Sequence, residues 1–452
     1  MPSFDILIRG NVVTPQGVLP DSWVAIADER IAAVGSGSEP QATRRHDAGS
    51  AYILPGLIDG QTHAGSQFGF PGIEPTTRSA VAGGITTIVD MPYDEPQPVD
   101  RLDVLKAKVA AISKHAYCEV ALYATIPSVP VVDEITKLAQ AGVAAFKISS
   151  FENHPVRFPR ITNEHALTLL QTLADMDLPV GLHNEDQEVA RAQTALLIAQ
   201  GRTAPEDHDP SRPEVAELLS TVNFLELGAA TGAHVHIVHI STPRGFELVR
   251  RYREDGVRAT AEMCVHYLHF NAAKDIERLG ALMKVNPPIR SNVQEGLWRE
   301  LLGGNVEFVS SDHSAWPLAR KQADSIYKVA AGIPGLETLA PVFYSDLAKR
   351  VADPAVMTAR YLSEKPARFF GLWPRKGALM PGADADITIL DPKSWTYSAA
   401  RAHDGLGWSP YDGERFAARP AATFVRGALV WDGKCITGKP GHGRYTRRTA
   451  AT

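Results

Sequence analysis

Between about residues 54 and 373 the chain alternates short apolar runs with longer stretches of helical periodicity. That alternation restricts the fold more than any other feature. Eight runs stand out, at 51–58, 84–89, 118–125, 143–148, 179–182, 235–240, 257–263 and 306–310, with helical segments such as 166–176 and 243–254 between them. Strand–helix repeats of this kind build a parallel sheet with crossover helices. Eight of them predict an α/β fold of the TIM-like (β/α)8-barrel type, in which chemistry gathers at the C-terminal ends of the strands. The two ends of the chain read differently. Runs at 4–8, 23–27 and 31–34, and again at 386–390 and 423–431, are β-rich and bounded by Gly, Pro and Asp. The simplest arrangement is one small β-sandwich made from both termini, residues 1–54 and 374–452, with the barrel at 55–373 inserted in it. A length of 452 residues accommodates both units.

A barrel enzyme should carry polar residues just beyond its apolar runs, and this chain does. Asp59, Gln61 and His63 follow the first run, Lys147 ends the fourth, His183 the fifth and His239 the sixth, and Asp312 follows the eighth. Taken singly, each has an ordinary structural role: a strand-end His is usually just hydrogen-bonded, and Asp312 would cap a turn. Taken together, barrel geometry brings them to one mouth. Imidazole and carboxylate are ligands suited to zinc and related divalent ions. Lys147 follows Ala-Ala-Phe and precedes Ile, so its neighbours predict burial. A buried ammonium is costly, and something must compensate its charge or remove it. His234 and His236 stand out of phase with His239; strict alternation would turn them toward the helices and away from any ligand role.

Composition narrows the field. Lys and Arg total 46 against 51 Asp and Glu, a net charge of −5, which argues against nucleic acid as a partner because backbone binding needs clustered positive charge. Cys118, Cys264 and Cys435 are few, distant and odd in number, so a disulfide framework is not expected and a reducing cytoplasm fits. The N-terminus lacks a signal-peptide pattern, and no apolar stretch is long enough to span a membrane.

Several segments carry a resemblance: Pro55-Gly-Leu-Ile-Asp, Ala82-Gly-Gly-Ile-Thr-Thr, Phe146-Lys147, His183-Asn-Glu, His239-Ile-Ser, Cys264-Val-His-Tyr-Leu, Lys284-Val-Asn-Pro-Pro-Ile-Arg290, Ser311-Asp312-His313, Gly335-Leu-Glu-Thr and Gly382-Ala-Asp-Ala-Asp. In these the chain resembles the cyclic amidohydrolase branch of the amidohydrolase superfamily, the hydantoinase, allantoinase and dihydropyrimidinase-like enzymes, over nearly its whole length. The resemblance implies a hydrolase that opens a small cyclic amide by attack of metal-bound hydroxide. It implies one or two Zn2+ per subunit, or Mn2+ or Co2+, and a Lys147 carbamylated by carbon dioxide. His183 and His239 would hold one metal and His63 with Asp312 the other, with Lys147 serving both. Asp312 would also be the catalytic acid–base. Backbone groups at Asn286 and near Cys264 would hold the ring amide, and Phe151 would face substrate, as would Arg157 if the ring bears an anionic or ureido group. A homo-oligomer, dimer or tetramer, is implied as well, with 407–413 suited to a docking arm.

The pattern is broken at one ligand. Gln61 stands where the family carries the first His of His-x-His, and an amide oxygen is neutral and a weaker donor to zinc than imidazole. Three outcomes stay open: two metals with Gln61 as a poor ligand, one metal at Lys147, His183 and His239, or no activity. The loop after Lys147 also lacks the Tyr of many D-selective hydantoinases, which places it nearer the L-hydantoinase and allantoinase types. Gln61 is the feature that would suit a competing reading, a catalytically impaired homologue acting in assembly or interaction. A superfamily deaminase is disfavoured by Lys147.

Overall fold

The computed structural model describes residues 4–449. Four strands open the chain: β1 (Phe4–Thr14), β2 (Gly17–Ala27), β3 (Arg30–Ser36) and β4 (Ala42–Pro55). The first apolar run is divided between two units. Its beginning closes β4, and Gly56 separates it from the first barrel strand, β5 (Leu57–His63). A side chain at Gly56 would run into Thr86 and stand 2.7 Å from Asp386 Cβ, so only glycine lets the backbone pass here. Asp59, Gln61 and His63 therefore lie within β5 rather than beyond it.

The barrel continues through β6 (Ile85–Asp90), β7 (Glu119–Ala124), β8 (Ala145–Ser149), β9 (Val180–His183), β10 (Val235–Ile237) and β11 (Ala259–Ala261). All neighbours pair in parallel, and helices such as Asn163–Leu173 and Pro243–Glu254 cover the outside. The seventh and eighth strands are each broken. Past Glu262 the seventh resumes as β12 (Met263–Cys264), which pairs with β13 (Val309–Ser310). Past Ser311 and Asp312 the eighth resumes as β14 (His313–Ser314), which pairs with β5 and closes the circle. The break in the eighth strand sets Asp312 between its two halves, while the Glu262 backbone stays bonded to the sixth strand, its N–H donating to Ile237 O and its C=O accepting from Ile240 N–H.

An inner cluster of Ile58, Val89, Tyr123, Ala145, Phe308, Phe369 and Phe370 fills the barrel. His236 belongs to this interior. It stacks on Phe308, packs against Phe369 and meets Thr260 Oγ1 at 2.9 Å, and His234 reaches the same hydroxyl at 2.9 Å. The expectation that these two face the helices is overturned. β10 ends at Ile237 and His239 has φ of 42°. That left-handed residue resets the alternation, so His236 and His239 both point inward.

The chain ends supply the β-rich unit. β15 (Ile387–Asp391), a short ribbon of β16 (Trp395–Thr396) with β17 (Arg415–Phe416), β18 (Arg419–Val425) and β19 (Ala428–Trp431) follow the barrel. Seven strands join as one sheet in the order β19-β18-β15-β4-β1-β2-β3 around Ile8, Val24, Ile53, Ile387 and Phe424. Residues 443–449 then run back along the barrel, where Val120 N–H donates to Arg444 O and Thr446 N–H to Val120 O. Residues 407–413 do not project as an arm. Trp408 donates to Trp316 O at 2.9 Å and Tyr411 is buried. Among the described residues no helix is long and apolar enough to cross a membrane.

Candidate active site

Asp59, Gln61 and His63 are two residues apart on β5 and so share one face. Asp59 is a staple. Its carboxylate accepts from Ser311 N–H at 2.8 Å, from Ser311 Oγ at 2.6 Å and from Thr62 Oγ1 at 2.6 Å, fixing the start of the break in the eighth strand. Burial pushes its pKa up to about 6 against these bonds. Next along β5, Gln61 Nε2 donates to Asp312 Oδ1 at 2.8 Å. His63 Nε2 lies 3.3 Å from the same oxygen, and its Nδ1 lies 3.1 Å from Ser66 Oγ. Asp312 has φ of 48°, a strained setting for a residue with a Cβ, and such strain collects at functional positions. Burial opposes its ionisation, but the bond from His63 and the charge of Lys147 hold its carboxyl below the ordinary range.

Across the barrel mouth, His183 at the end of β9 turns Nδ1 to Nε2 of His239 at 2.9 Å. Nε2 of His183 meets Glu185 Oε2 at 2.8 Å, and Glu185 is paired with Arg212 at 2.5 Å. Burial holds both imidazoles below their usual pKa. His239 is steadied from the seventh strand: its N–H donates to Glu262 Oε1 at 2.8 Å, while Ser310 Oγ donates to Glu262 Oε2 at 2.6 Å. Burial drives the Glu262 pKa up to about 7. Lys147, on the inner face of β8, is 1% exposed, and burial lowers its pKa to about 8 although Asp312 and Glu262 pull the other way.

These groups open into a cavity of about 520 Å³. Gln61, His63, Lys147, His183, His239 and Asp312 all line it. Of the residues expected at the substrate, Asn286 lines it, with its Oδ1 buried and unpartnered. Cys264 and Phe151 do not. The Cys264 side chain is fully buried with its sulfur 3.6 Å from Ser310 Oγ, and Phe151 lies under the Arg212 guanidinium at 4.4 Å. The aromatic wall is instead Phe158 stacked on Tyr93, ring centres 3.6 Å apart. Arg157 reaches the cavity but is tied to Ser66 O at 2.9 Å and Glu95 at 3.0 Å. The far wall includes residues 327–332, held from behind by two buried ammonium groups. Lys284 Nζ donates to Ile326 O and Val329 O, and Lys321 Nζ to Lys284 O, Ala330 O and Gly332 O. Burial pushes both lysines down to about 7.

Sequence reading missed Glu262, Glu185 and Arg212 as working parts. Glu262 had a signal of the Lys147 kind, a charge inside an apolar run. Arg212 had none, because it arrives from the segment between two helices.

The six expected ligands do not close around one point. They form two groups, His183 with His239 and Gln61 with His63 and Asp312, and the Lys147 charge acts on His183, His239 and Asp312. Among the described residues no three His, Cys, Asp or Glu side chains alone make a metal cluster; any third ligand beside the two imidazoles would be Lys147. The His183 pair fits a divalent cation nonetheless. The ionised Glu185 only accepts, so Nε2 of His183 carries the proton and Nδ1 presents a bare lone pair toward His239. A carboxylate behind a histidine is the usual support of a metal ligand.

The chain matches the amidohydrolase family model over residues 52–430. It is 34% identical to an allantoinase of Rubrobacter xylanophilus over 452 residues, covering 99% of this chain and 98% of the relative. It is 28% identical to an L-hydantoinase of Paenarthrobacter aurescens over 457 residues, covering 98% of each. The solved L-hydantoinase (dihydropyrimidinase) of Arthrobacter aurescens superposes with a TM-score of 0.93 at 28% identity, covering 98% of this chain and all of that one.

Proposed function

The chain belongs to the amidohydrolase family, and from that premise we propose that it is a metal-dependent hydrolase opening a small cyclic amide of the hydantoin, allantoin or cyclic imide kind. The observation that carries the reading is the meeting of a buried lysine, a facing pair of neutral histidines and a strained aspartate in one cavity. Allantoinase and L-hydantoinase are the names its relatives carry.

Lys147, His183 and His239 would hold a cation, zinc or else manganese or cobalt. With its pKa near 8, part of the Lys147 population is neutral amine at pH 7. That amine adds to carbon dioxide: an N–C bond forms, one proton leaves to water, and an anionic carbamate replaces a buried cation that no ion pair compensates. A bound divalent cation supplies Lewis acidity, polarising the ring carbonyl and acidifying the attacking water. The Asp312 carboxylate takes the proton from that water and passes it to the leaving ring nitrogen. His63 and Gln61 hold Asp312 in place from β5. Asn286 offers its free Oδ1 to a ring N–H, and Phe158 with Tyr93 flanks the ring face. By the same resemblance we place the protein in a homo-oligomer, which sedimentation velocity checks.

The test is ring opening of five- and six-membered cyclic amides by protein stripped with chelator and then reloaded with zinc, manganese or cobalt in bicarbonate. Turnover of at least one ring that returns only on reloading supports the reading. A reloaded protein that opens none of them contradicts it and favours the impaired homologue.

A further inference from the structure

We infer that this chain retains a single tightly bound divalent cation, on Lys147, His183 and His239, because Gln61 has taken over the place of a second. The inference rests on the functional reading above and concerns the two sides of the same site. On the His183 side only the hydrogen bond between the two imidazoles stands where a cation would sit, and a shift of the His239 proton to its unpartnered Nδ1 removes it. The lone pair of His183 Nδ1 is directed at His239 with its opposite nitrogen fixed by Glu185, and the Lys147 side chain shares the cavity with both.

The other side is already engaged. Asp312 Oδ1 accepts the Gln61 amide N–H at 2.8 Å. The direction of that amide follows from chemistry, since an ionised carboxylate has only acceptors and the NH2 end must face it. A second cation would therefore have to break the Gln61–Asp312 bond before using the carboxylate. Gln61 would then offer only its carbonyl oxygen, a neutral donor that zinc prefers less than imidazole. Turning the amide over would set two oxygens against each other at the same separation. Each pair holds one hydrogen bond without metal, but His239 can shift its proton to its unpartnered Nδ1 and free both facing imidazole nitrogens for a cation, whereas Gln61 keeps its NH2 on Asp312 and has only a neutral, unpartnered amide oxygen to offer. His63, whose Nδ1 meets Ser66 Oγ at 3.1 Å, then serves Asp312 as a positioning residue.

Metal content decides the matter. Full-length protein is reloaded with zinc in bicarbonate, desalted, and measured by elemental analysis. About one equivalent is expected for the unaltered protein and for His63→Asn, almost none for His183→Asn, and close to two for Gln61→His. Circular dichroism confirms that each variant is folded. Should Gln61→His fail to fold, the contrast between His63→Asn and His183→Asn still decides. Two equivalents in the unaltered protein, or loss of the single equivalent in His63→Asn, overturn the inference and leave the hydrolase reading standing. No retained metal in the unaltered protein overturns both.

Discussion

Replacing Lys108 with methionine should be among the most damaging single changes in the barrel. The Lys108 ammonium is fully buried and lies 2.6 Å from Asp90 Oδ2, 2.9 and 2.8 Å from the two oxygens of Asp94 and 3.1 Å from Met91 O. Both aspartates are fully buried as well. Removal of the cation strands two carboxylates side by side in a dry interior. Breaking a buried pair in this way costs about 3–5 kcal/mol, because the remaining charge is left uncompensated. Domains are stable by roughly 5–15 kcal/mol in all, so the loss would be a large part of the total. The damage reaches the site, because Asp90 Oδ1 also accepts the Ala64 N–H at 2.7 Å, next to His63. Denaturant unfolding followed by tryptophan fluorescence reads the change as a lower midpoint. Adding Asp94→Leu to Lys108→Met should restore part of the loss, since it removes one stranded charge. If Lys108→Met shifts stability by less than about 0.5 kcal/mol, the range of a surface substitution, the triad is not the buried support described here.

Further outcomes follow from other parts of the molecule. Asp312→Ala should lower turnover by roughly 10²–10⁴-fold while leaving the fold intact, the usual scale for losing a general acid–base; normal turnover would remove Asp312 from the reaction. Gly65→Ala should destabilise by about 1–3 kcal/mol, because the new methyl group would collide with the Asp94 carboxylate; an unfolding midpoint equal to that of the unaltered protein would contradict the packing. His269 sits between Asp346 and Glu414, each at 2.7 Å, and although burial opposes its charge the two carboxylates raise its pKa to about 9. Being raised in the folded state, it adds stability in full below its unfolded pKa of about 6.5, and that contribution fades as pH rises through 9. His269→Gln should flatten stability between those limits, and an unchanged slope would exclude the clamp.

Much of the site was legible in the sequence because barrel geometry turns strand ends into neighbours. Lys147, His183, His239 and Asp312 could be placed from apolar runs alone, and all of them line one cavity. What was not legible came from departures from regular strands. His236 was assigned to the wrong face because the parity rule assumes an unbroken strand, and the left-handed His239 breaks it. The end of the first barrel strand was misplaced because one apolar run serves two units on either side of Gly56. Phe151 and Phe158 occupy the same loop, and only its fold, with His154 and Phe158 bridged, decides which ring faces inward. The Cys264 side chain is buried in the core and off the cavity wall, a matter of side-chain direction that a local pattern does not encode.

The chemical state of Lys147 offers the most direct test. Carbon-13 NMR of the protein reloaded with zinc in labelled bicarbonate should show a carbamate carbonyl signal that vanishes with chelator and is absent from Lys147→Met. An active, metal-loaded protein that shows no such signal would contradict the account, because the buried lysine would then have no partner to explain it.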